Sequence, residues 1–499
     1  MSKTELLNRN EKRLTYSVLI AVVCLAVLTA SGCMVGPNYQ PQHPAVPTEW
    51  VGVSKTPTGQ PAVATAQPTD LIQWWRQFND PILTSLTEEA LNKNLDLQTA
   101  EARLRQARAM RGVTVGGLWP AVTASGSYQL LHKASNSSNE NLYQYGFDSV
   151  WELDLFGGLH RAVESADANV QAAIEGIRDA QVSLIAEVAL NYAQLRGYQQ
   201  EIVIAQNNVK AQQHTADITH KLFSVGFASA LDVANADSNV ATTESQIPVF
   251  EIQAQQSIYA LSVLLARLPA DLLKQLSPTG SLPTVPTEIP VGLPSDLLRR
   301  RPDIREAEAQ LHAATAQIGV AVADFFPTFS LTGSMNWNTD VMHNASHYFA
   351  LGPSVTWPIF QGGAIVSNVH LQEALRDQAF FTYQKTVLAA FQDVENALIA
   401  FTKEQQHLKV LNEAVDDNRK AVDLSLQLYI EGLGDFLNVL VTQLSLYSSE
   451  NAAVQSEQNI VTDLIALYKA LGGGWESEPS LCTGDNLPAG KDYCGDKPQ

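Results

Sequence analysis

The side chains with the greatest chemical potential in this sequence are its ten histidines and four cysteines. Metal-assisted catalysis would need them in groups, because a zinc site takes three or four Cys, His, Asp or Glu ligands. The closest histidines, His343 and His347, lie four residues apart in the polar stretch NTDVMHNASH, and two loop histidines are weak evidence for a metal. No glycine-rich phosphate loop, P-loop lysine or zinc-helix motif is present. The sequence therefore predicts no enzyme activity, no metal site and no catalytic residue.

Cys33 is the cysteine whose surroundings predict a modification. Residues 1–16 include four basic side chains, residues 17–30 are uncharged and almost wholly apolar, and small residues lead to the cysteine (Ala30-Ser31-Gly32-Cys33). This is the layout of a secretory signal, and its apolar run is shorter than the roughly 20 residues that span a bilayer. The segment resembles a bacterial lipobox, which predicts removal of the signal and acylation of the Cys33 thiol. The alternative is an ordinary signal peptide in which Cys33 is incidental.

The charge and the remaining cysteines agree with export. The formal net charge is −19, which disfavours nucleic acid as a partner because phosphate contacts need Lys and Arg. Met34 stands where an aspartate would retain a lipoprotein in the inner membrane, so the lipobox resemblance points to the lipid of the outer membrane. Cys482 and Cys494 lie in the acidic C-terminal tail, and in an oxidising periplasm they form either a small disulfide-closed loop or two free thiols.

The chain contains an internal duplication. Residues 96–120 and 303–327 share at least ten identities at a constant offset of 207, and residues 222–233 correspond to 428–439 at an offset of 206. The intervening proline-rich stretch is predicted to be an extended linker. The predicted organisation is a lipoprotein signal peptide (1–32), a lipidated extended segment (33–80), a first repeat (81–275), the linker (276–298), a second repeat (299–474) and an acidic tail (475–499).

Each repeat has the same predicted order: a helix, two strands, a very long helix, a glycine-marked break and another long helix. Residues 159–222 contain no proline and are rich in helix-favouring residues. Apolar positions between Leu184 and Val209 alternate in steps of four and three, which is the heptad pattern of coiled coils. Each first long helix would extend on the order of 90–100 Å. The predicted long helices are 159–222 and 229–267 in the first repeat, and 364–428 and 435–471 in the second.

The strands of each repeat separate apolar from polar residues. They are predicted at about 118–131 and 142–155, and at about 325–338 and 347–360. From Tyr143 to Leu153 one face is largely apolar and aromatic, whereas the other carries Gln144, Gly146, Asp148 and Glu152. This alternation suits a wall between lipid and water, although a half-buried soluble sheet has the same period. On the first interpretation Tyr145 and Phe147 face lipid, and Gln144 and Asp148 face an aqueous lumen.

Four strands per chain do not close a membrane barrel, because such barrels begin at about eight strands. An open edge in hydrocarbon would leave backbone groups without hydrogen bonds. Several chains must therefore contribute to one barrel. A lipid-anchored trimeric coiled-coil adhesin is the competing structural interpretation, but it does not need strands placed twice at matching points.

These features resemble the TolC-like outer-membrane efflux proteins, and more narrowly their NodT/OprM-like lipoprotein branch. The resemblance implies a mixed α and β fold: a homotrimer forming one twelve-stranded transmembrane β-barrel, continued by a long α-helical periplasmic tunnel. It implies a periplasmic membrane-fusion adaptor and an inner-membrane resistance-nodulation-division type pump as partners, and passive conduction of drugs or other small toxic compounds. Type I protein secretion is the alternative cargo. The matching segments are RRPDIREAEAQL with the motif residues Arg300, Arg301, Pro302 and Asp303, the start at Gly36–Gln42, and the terminal LYKALGGGW.

The resemblance also assigns a gate. Glycine removes the Cβ penalty of a tight turn, and Gly226 and Gly432 mark the turns that would form the periplasmic tips. In the family the second hairpin bends inward and is held by polar contacts to the first. The alternative is that the tip tyrosine packs in the coiled coil and its aspartate partner caps the next helix. The family's tyrosine and aspartate fall on Tyr429 and Asp232, and its inner carboxylates fall on Asn438 and Val441, with Asp435 one turn earlier as a substitute.

Overall fold

The computed structural model describes residues 34–42, 44–51, 63–65, 71–133, 138–286, 288–339 and 345–477. Within these residues, no helix combines the length and the apolar character that a membrane crossing requires. The strands are β1 (Val63–Thr65), β2 (Ala121–Lys133), β3 (Ser138–Leu153), β4 (Glu288–Pro290), β5 (Thr328–Thr339) and β6 (Ala345–Thr356). The helices are α1 (Pro81–Lys93), α2 (Leu95–Gly116), α3 (Gly158–Ser224), α4 (Ala230–Glu244), α5 (Ile247–Leu264), α6 (Leu273–Leu276), α7 (Pro294–Arg300), α8 (Pro302–Ala323), α9 (Ala364–Ile430) and α10 (Phe436–Ala470).

The predicted mixed α and β fold is confirmed, and the duplication is visible in it. Helices α3 and α9 each contain 67 residues, and each follows a two-stranded hairpin of its own repeat. Both helices end in the same way. The amides of Gly226 and Phe227 bond to the carbonyls of Phe223 and Leu222, and the amides of Gly432 and Leu433 bond likewise to Tyr429 and Leu428. This is the Schellman arrangement, and the glycines have φ values of 84° and 75°.

One compact unit comprises the described parts of residues 34–42, 103–174 and 306–384. Its centre is an antiparallel sheet with the strand order β2-β3-β5-β6. The two hairpins, one from each repeat, join through the pairing of β3 with β5. Strands β2 and β6 are therefore the two edges of the sheet within one chain.

The second compact unit comprises the described parts of residues 44–102, 175–305 and 385–477. Its core is aromatic and aliphatic: Trp74 stacks on Tyr468 at a ring-centroid distance of 5.0 Å, and Phe78 packs edge-on against both. Helix α1 begins here because Pro81 suits the first helical turn and Asp80 accepts hydrogen bonds from two free amides of that turn.

Three predicted boundaries were wrong. The helix predicted over 229–267 is interrupted between α4 and α5, because Pro248 has no N–H for a continuous helix and instead suits a first turn. The linker predicted to be extended contains β4, which pairs in parallel with β1, and helix α7, which begins at Pro294. Strand β6 ends at Thr356 rather than near 360, since Pro358 follows.

Candidate functional site

The sheet has one apolar face and one polar face. Side chains directly opposite one another in the pairing lie on the same face, so the register assigns every strand residue. Phe147 lies opposite Met335, and Met335 lies opposite Phe349; Asp148 lies opposite Ser334. The exposed apolar face includes Val122, Tyr128, Leu130, Tyr143, Tyr145, Phe147, Leu331, Met335, Phe349, Leu351 and Val355.

The register places Tyr145 and Phe147 on that apolar face and Gln144 and Asp148 on the opposite one, as the alternation predicted. The second face is mostly polar, with Val150 and Tyr348 as exposed exceptions. Its polar residues include Thr123, Ser125, Ser127, Gln129, Ser330, Thr332, Ser334, Asn336 and Asn338. The pairing also assigns the side chains of β2 and β5 to the two faces. The sequences of these two strands alternate less clearly than those of β3 and β6.

Two tryptophans fix the base of the two hairpins. The Trp151 indole N–H donates to the carbonyl of Leu118 at 3.0 Å, and the Trp357 indole N–H donates to the carbonyl of Phe325 at 3.1 Å. The two bonds occupy equivalent positions in the two repeats. The recurrence of the two tryptophans at an offset of 206 is the sequence signal for this shared role.

Residues 34–42, here called the strap, are bound to the unit that contains the sheet. The Val35 amide donates to the carbonyl of Phe156 at 3.1 Å. The almost fully buried Arg161 donates to the Val35 carbonyl at 3.2 Å and to Asn38 Oδ1 at 2.5 Å. Gly36 has a φ of +85°, and a Cβ there would lie 2.5 Å from the Cα of Gly319. The strap therefore has a specific seat on the protein.

The strap's aromatic residue enters a cluster of titratable groups. Tyr39 stacks on His312 with ring centroids 4.4 Å apart, and its hydroxyl donates to Glu308 Oε1 at 3.0 Å. His312 also contacts Glu164 Oε1 at 2.9 Å. Burial raises the pKa of Tyr39, and the neighbouring Glu308 carboxylate raises it further. The hydroxyl therefore stays protonated and continues to donate. Cys33, the predicted acylation site, lies outside the described residues.

The RRPD motif connects separate segments of the second unit. Arg301 donates to Asp303 at 2.7 Å and 3.0 Å, to Asp393 at 3.1 Å and to the carbonyl of Ala470 at 3.2 Å. The carbonyl of Arg300 accepts from the Trp475 indole, and Pro302 occupies the first turn of α8. The motif therefore joins α8, α9 and the C-terminal end of α10.

A cavity of about 480 Å³, lined in part by charged side chains, borders this motif. Burial raises the pKa of Asp463 to about 6, and the Glu404 charge acts in the same direction. Burial and then the Asp303 charge raise the pKa of Asp179. Among the described residues no group of Cys, His, Asp or Glu has the arrangement of a metal site. The charged lining residues are Asp179, Arg301, Asp303, Asp393, Asp463 and Lys469.

The predicted hydrogen bond between Tyr429 and Asp232 is absent. The Asp232 carboxylate accepts from the Ser229 amide at 2.8 Å, and its own amide donates to Ser229 Oγ at 3.1 Å. This reciprocal capping box satisfies two amides at the start of α4. The carboxylate is engaged locally within the chain, as the capping alternative describes. The role of Tyr429 and Asp232 in a gate stays a prediction.

Tyr429 instead packs in the tip's small apolar core. Its side chain is 7% exposed, and its ring lies 5.3 Å from that of Phe436. The buried hydroxyl makes no hydrogen bond of normal geometry to any described residue. Burial raises the pKa of Tyr429; the Thr219 hydroxyl opposes this shift, and the Asp232 charge adds to it.

The other predicted gate residues lie on the exposed surface of α10's first turns. Asp435 is the N-cap of α10, although its carboxylate makes no capping bond. Asn438 and Val441 follow at helical spacing and are exposed, Val441 by 53%. The turn glycines Gly226 and Gly432 are open, with nothing within 4 Å of an added Cβ.

A buried polar layer above the tip was missed in the sequence. Gln443 donates to Thr215 Oγ1 at 2.8 Å and accepts from Asn239 at 3.3 Å. The three residues belong to α10, α3 and α4. This layer, rather than the Tyr429–Asp232 pair, makes the buried polar connection between the two hairpins. Polar residues at heptad core positions were the available signal. The predicted loop histidine His343 and the tail cysteines Cys482 and Cys494 lie outside the described residues.

Comparison with known proteins defines the class. Residues 86–267 and 293–473 match the family described as Outer membrane efflux protein. The two matched segments correspond to the two repeats. This chain belongs to that family and is therefore an outer-membrane efflux protein.

The similarity to individual relatives extends over nearly the whole chain. The "Toluene efflux pump outer membrane protein TtgC" of Pseudomonas putida is 33% identical over 93% of this chain and 96% of its own length. "Nodulation protein T" of Rhizobium leguminosarum bv. viciae is 31% identical over 92% of this chain and 94% of its own. The solved outer-membrane channel OprN superposes with a TM-score of 0.82, at 35% identity over 89% of this chain and all of that one. The predicted NodT/OprM-like family is confirmed.

Proposed function

We propose that this protein is the outer-membrane channel of a tripartite efflux system and conducts small toxic compounds passively to the exterior. The observation that carries the proposal is a four-stranded sheet with an exposed apolar, aromatic face, a polar opposite face and two unpaired edges. A wall between lipid and water needs the first two features, and a shared barrel needs the third.

Three chains, we infer, close one twelve-stranded barrel. Each edge strand is 12 or 13 residues long, and its outward N–H and C=O groups would lack partners in hydrocarbon, where each unsatisfied group costs several kcal/mol. Pairing β6 of one chain with β2 of the next satisfies both edges at once. Two chains would give a barrel of about eight strands, whose interior side chains fill, so three chains are the fewest that leave a lumen.

The partners follow from the proposed channel. A passive conduit needs an energy source elsewhere, so we propose a periplasmic membrane-fusion adaptor and an inner-membrane pump of the resistance-nodulation-division type. The names of relatives as toluene or antibiotic efflux proteins support small organic compounds rather than proteins as cargo. No cofactor is proposed beyond covalent lipid.

We also propose that Cys33 carries that lipid. The strap begins at the next residue and is held by Phe156 and Arg161, which supports a fixed attachment point beside the sheet. Mass spectrometry of purified protein should give a mature chain starting at an acylated Cys33. A chain that starts elsewhere, or an unmodified thiol, would refute the anchor without affecting the channel.

The experiment for the channel combines conductance with efflux. Purified protein should open ion-conducting pores in planar bilayers, and deletion of its gene should raise cellular accumulation of a fluorescent pump substrate. Assembled protein that never conducts would favour the adhesin interpretation. Conductance combined with unchanged dye accumulation and the loss of a secreted protein would favour type I secretion.

A further inference from the structure

Between the aromatic core of the second unit and the tip, the contact of α3 with α10 is largely polar. Five of the eight residues that α3 buries between positions 201 and 219 are polar. These five, together with Ala205, follow one another in steps of four and three, so they share one face of the helix. The contact of residues 201–219 with residues 443–451 of α10 is here called the seam. Its buried polar α3 residues are Glu201, Asn208, Gln212, Thr215 and Thr219.

Two hydrogen bonds connect the helices across the seam. Asn208 Nδ2 donates to Glu450 Oε2 at 2.8 Å, and Gln443 Nε2 donates to Thr215 Oγ1 at 2.8 Å. The other Glu450 oxygen accepts from Arg419 of α9 at 2.9 Å, so this carboxylate is paired with a cation. These bonds fix the register of α3 against α10, but they satisfy only part of the polar groups in the seam.

Several further polar groups of the seam are buried without partners. Five atoms make no hydrogen bond of normal geometry to any described residue. Glu201 and Gln212 are only 6% and 2% exposed. Since a buried polar atom without a partner is costly, a line of such atoms favours the entry of water, which can bond to several of them. The five atoms are Glu201 Oε2, Gln212 Oε1 and Nε2, Tyr447 Oη and Asn451 Oδ1.

Glu201 is the buried acid of the seam that has no cation beside it. Burial raises its pKa to about 7, and no charge of another described group offsets that shift. Burial also raises the pKa of Tyr198 on α3 and of Tyr447 on α10, and the Glu201 charge acts in the same direction on both, so these two phenols stay neutral. Glu450, the charged group of α10 in the seam, is paired with Arg419. A carboxyl group in such surroundings favours its neutral form.

We propose that the seam is a proton-dependent contact: the neutral acid of Glu201 keeps α3 closed against α10, and its carboxylate admits water between the two helices. An ionised carboxylate must be hydrated or paired, and this one has no cation to pair with. The unpaired atoms of Gln212, Tyr447 and Asn451 offer donors and acceptors to the entering water, so hydration is less costly here than in an apolar contact. The inference concerns a single chain and does not rest on the proposed trimer or cargo.

The direction of the pH dependence follows from the sign of the shift. An ordinary glutamate is ionised above about pH 4.3, whereas burial keeps Glu201 neutral up to about pH 7. The seam therefore stays closed below about pH 6 and loosens as the pH rises through 7. The hydrogen bonds of Asn208 and Thr215 hold α3 and α10 in register, so the change is a loosening of the contact and not a separation of the helices.

Amide hydrogen exchange of the full-length protein in detergent tests this inference, with rates at pH 6 and pH 8 corrected for intrinsic exchange. Protection of residues 198–212 and 443–455 should fall by up to about tenfold at pH 8, because a group of pKa about 7 is then about ten times more often ionised than neutral. Glu201→Gln keeps the shape but cannot ionise, so its protection should be equal at both pH values. The matched control is Glu457→Gln, which removes another carboxyl of α10 whose pKa burial raises and should retain the parent's pH dependence.

Hydroxyl-radical labelling of Tyr447 provides a second readout, since a buried ring is labelled efficiently only when water lies beside it. Labelling should increase at pH 8 in the parent and stay constant in Glu201→Gln. Unchanged protection and labelling of the parent between pH 6 and pH 8 would overturn the proposal. So would a pH dependence that persists in Glu201→Gln, because another group would then be titrating. Seam amides that exchange no faster than those of α1 at pH 8 would assign the effect to global unfolding and would also overturn it.

Discussion

The hydroxyl of Tyr429 gives the most direct test of the tip structure. It is buried, without a hydrogen bond of normal geometry, while Asp232 is engaged in the capping box of α4. The perturbations are Tyr429→Phe, Asp232→Ala and the two together. If the tyrosine and the aspartate do not interact, their effects on the free energy of local opening add; if they form a latch, the effects do not add.

The magnitudes follow from the contacts. Leaving a polar group buried without a partner costs about 1–3 kcal/mol, so Tyr429→Phe should stabilise the closed tip or leave it unchanged. Asp232→Ala removes the carboxylate from the capping box and should destabilise the tip by about 1 kcal/mol. The coupling energy, which is the difference between the effect of the double variant and the sum of the two single effects, should be close to zero. A hydrogen bond to the carboxylate would instead give a coupling of about 1.5–3 kcal/mol.

Amide hydrogen exchange at residues 222–233 and 428–439 measures this local opening in assembled protein. Single-channel conductance provides a second readout, and Tyr429→Phe should leave it unchanged. A coupling energy above about 1 kcal/mol, within the range of a hydrogen bond, would refute the reasoning. So would increased conductance in Tyr429→Phe alone. Either result would restore the tyrosine–aspartate latch.

Three further variants test other parts of the molecule. Phe147→Lys should impair membrane insertion, since a lipid-facing lysine costs about 2–4 kcal/mol at mid-membrane, whereas Asp148→Lys on the polar face should insert normally; equal insertion would refute the facing assignment. Burial raises the pKa of Glu201 to about 7, so its contribution to folding stability should decline as pH rises from about 5 to 7, and urea unfolding of Glu201→Gln should show a flatter pH profile. Arg301→Lys keeps the charge but loses the two-bond contact to Asp303 and should lower stability in urea unfolding by about 1.5–3 kcal/mol, the range of one hydrogen bond to a charged group.

The sequence contains enough to predict the repeats, the long helices and the facing of the strands. Each depends on a period: the 206–207-residue offset, the heptad pattern and the two-residue alternation at Tyr145, Phe147 and Asp148. The heptad pattern and the alternation can be read from the sequence because helix and strand geometry repeats regularly along the chain. The faces of β2 and β5 became clear only from the strand register. Pairing with a clearly alternating strand assigns their side chains to faces that their own composition does not reveal.

The contacts between distant segments did not follow from these periods. The strap's seat depends on Arg161, Asn38 and Gly36, residues that only the folded chain brings together. At the tip, the local order Ser229–Asp232 is a capping-box spacing, and this short-range competitor for the carboxylate outweighed the longer-range partner that the family resemblance suggested. Gln443 was overlooked because a single polar residue in an apolar helix face is equally consistent with a solvated position.

The strap also breaks the equivalence of the two repeats. In the first repeat, the turn at Gly157 is covered: a Cβ there would lie 2.8 Å from Met34 Cα. The equivalent turn of the second repeat is uncovered within the chain: a Cβ built on Gly363 would have no contact within 4 Å, and Ile359 and Phe360 are exposed by 88% and 89%. A duplicated chain has only one N-terminus, so it can cover only one of its two turns. The second turn therefore exposes apolar side chains at the position where the strap covers the first turn.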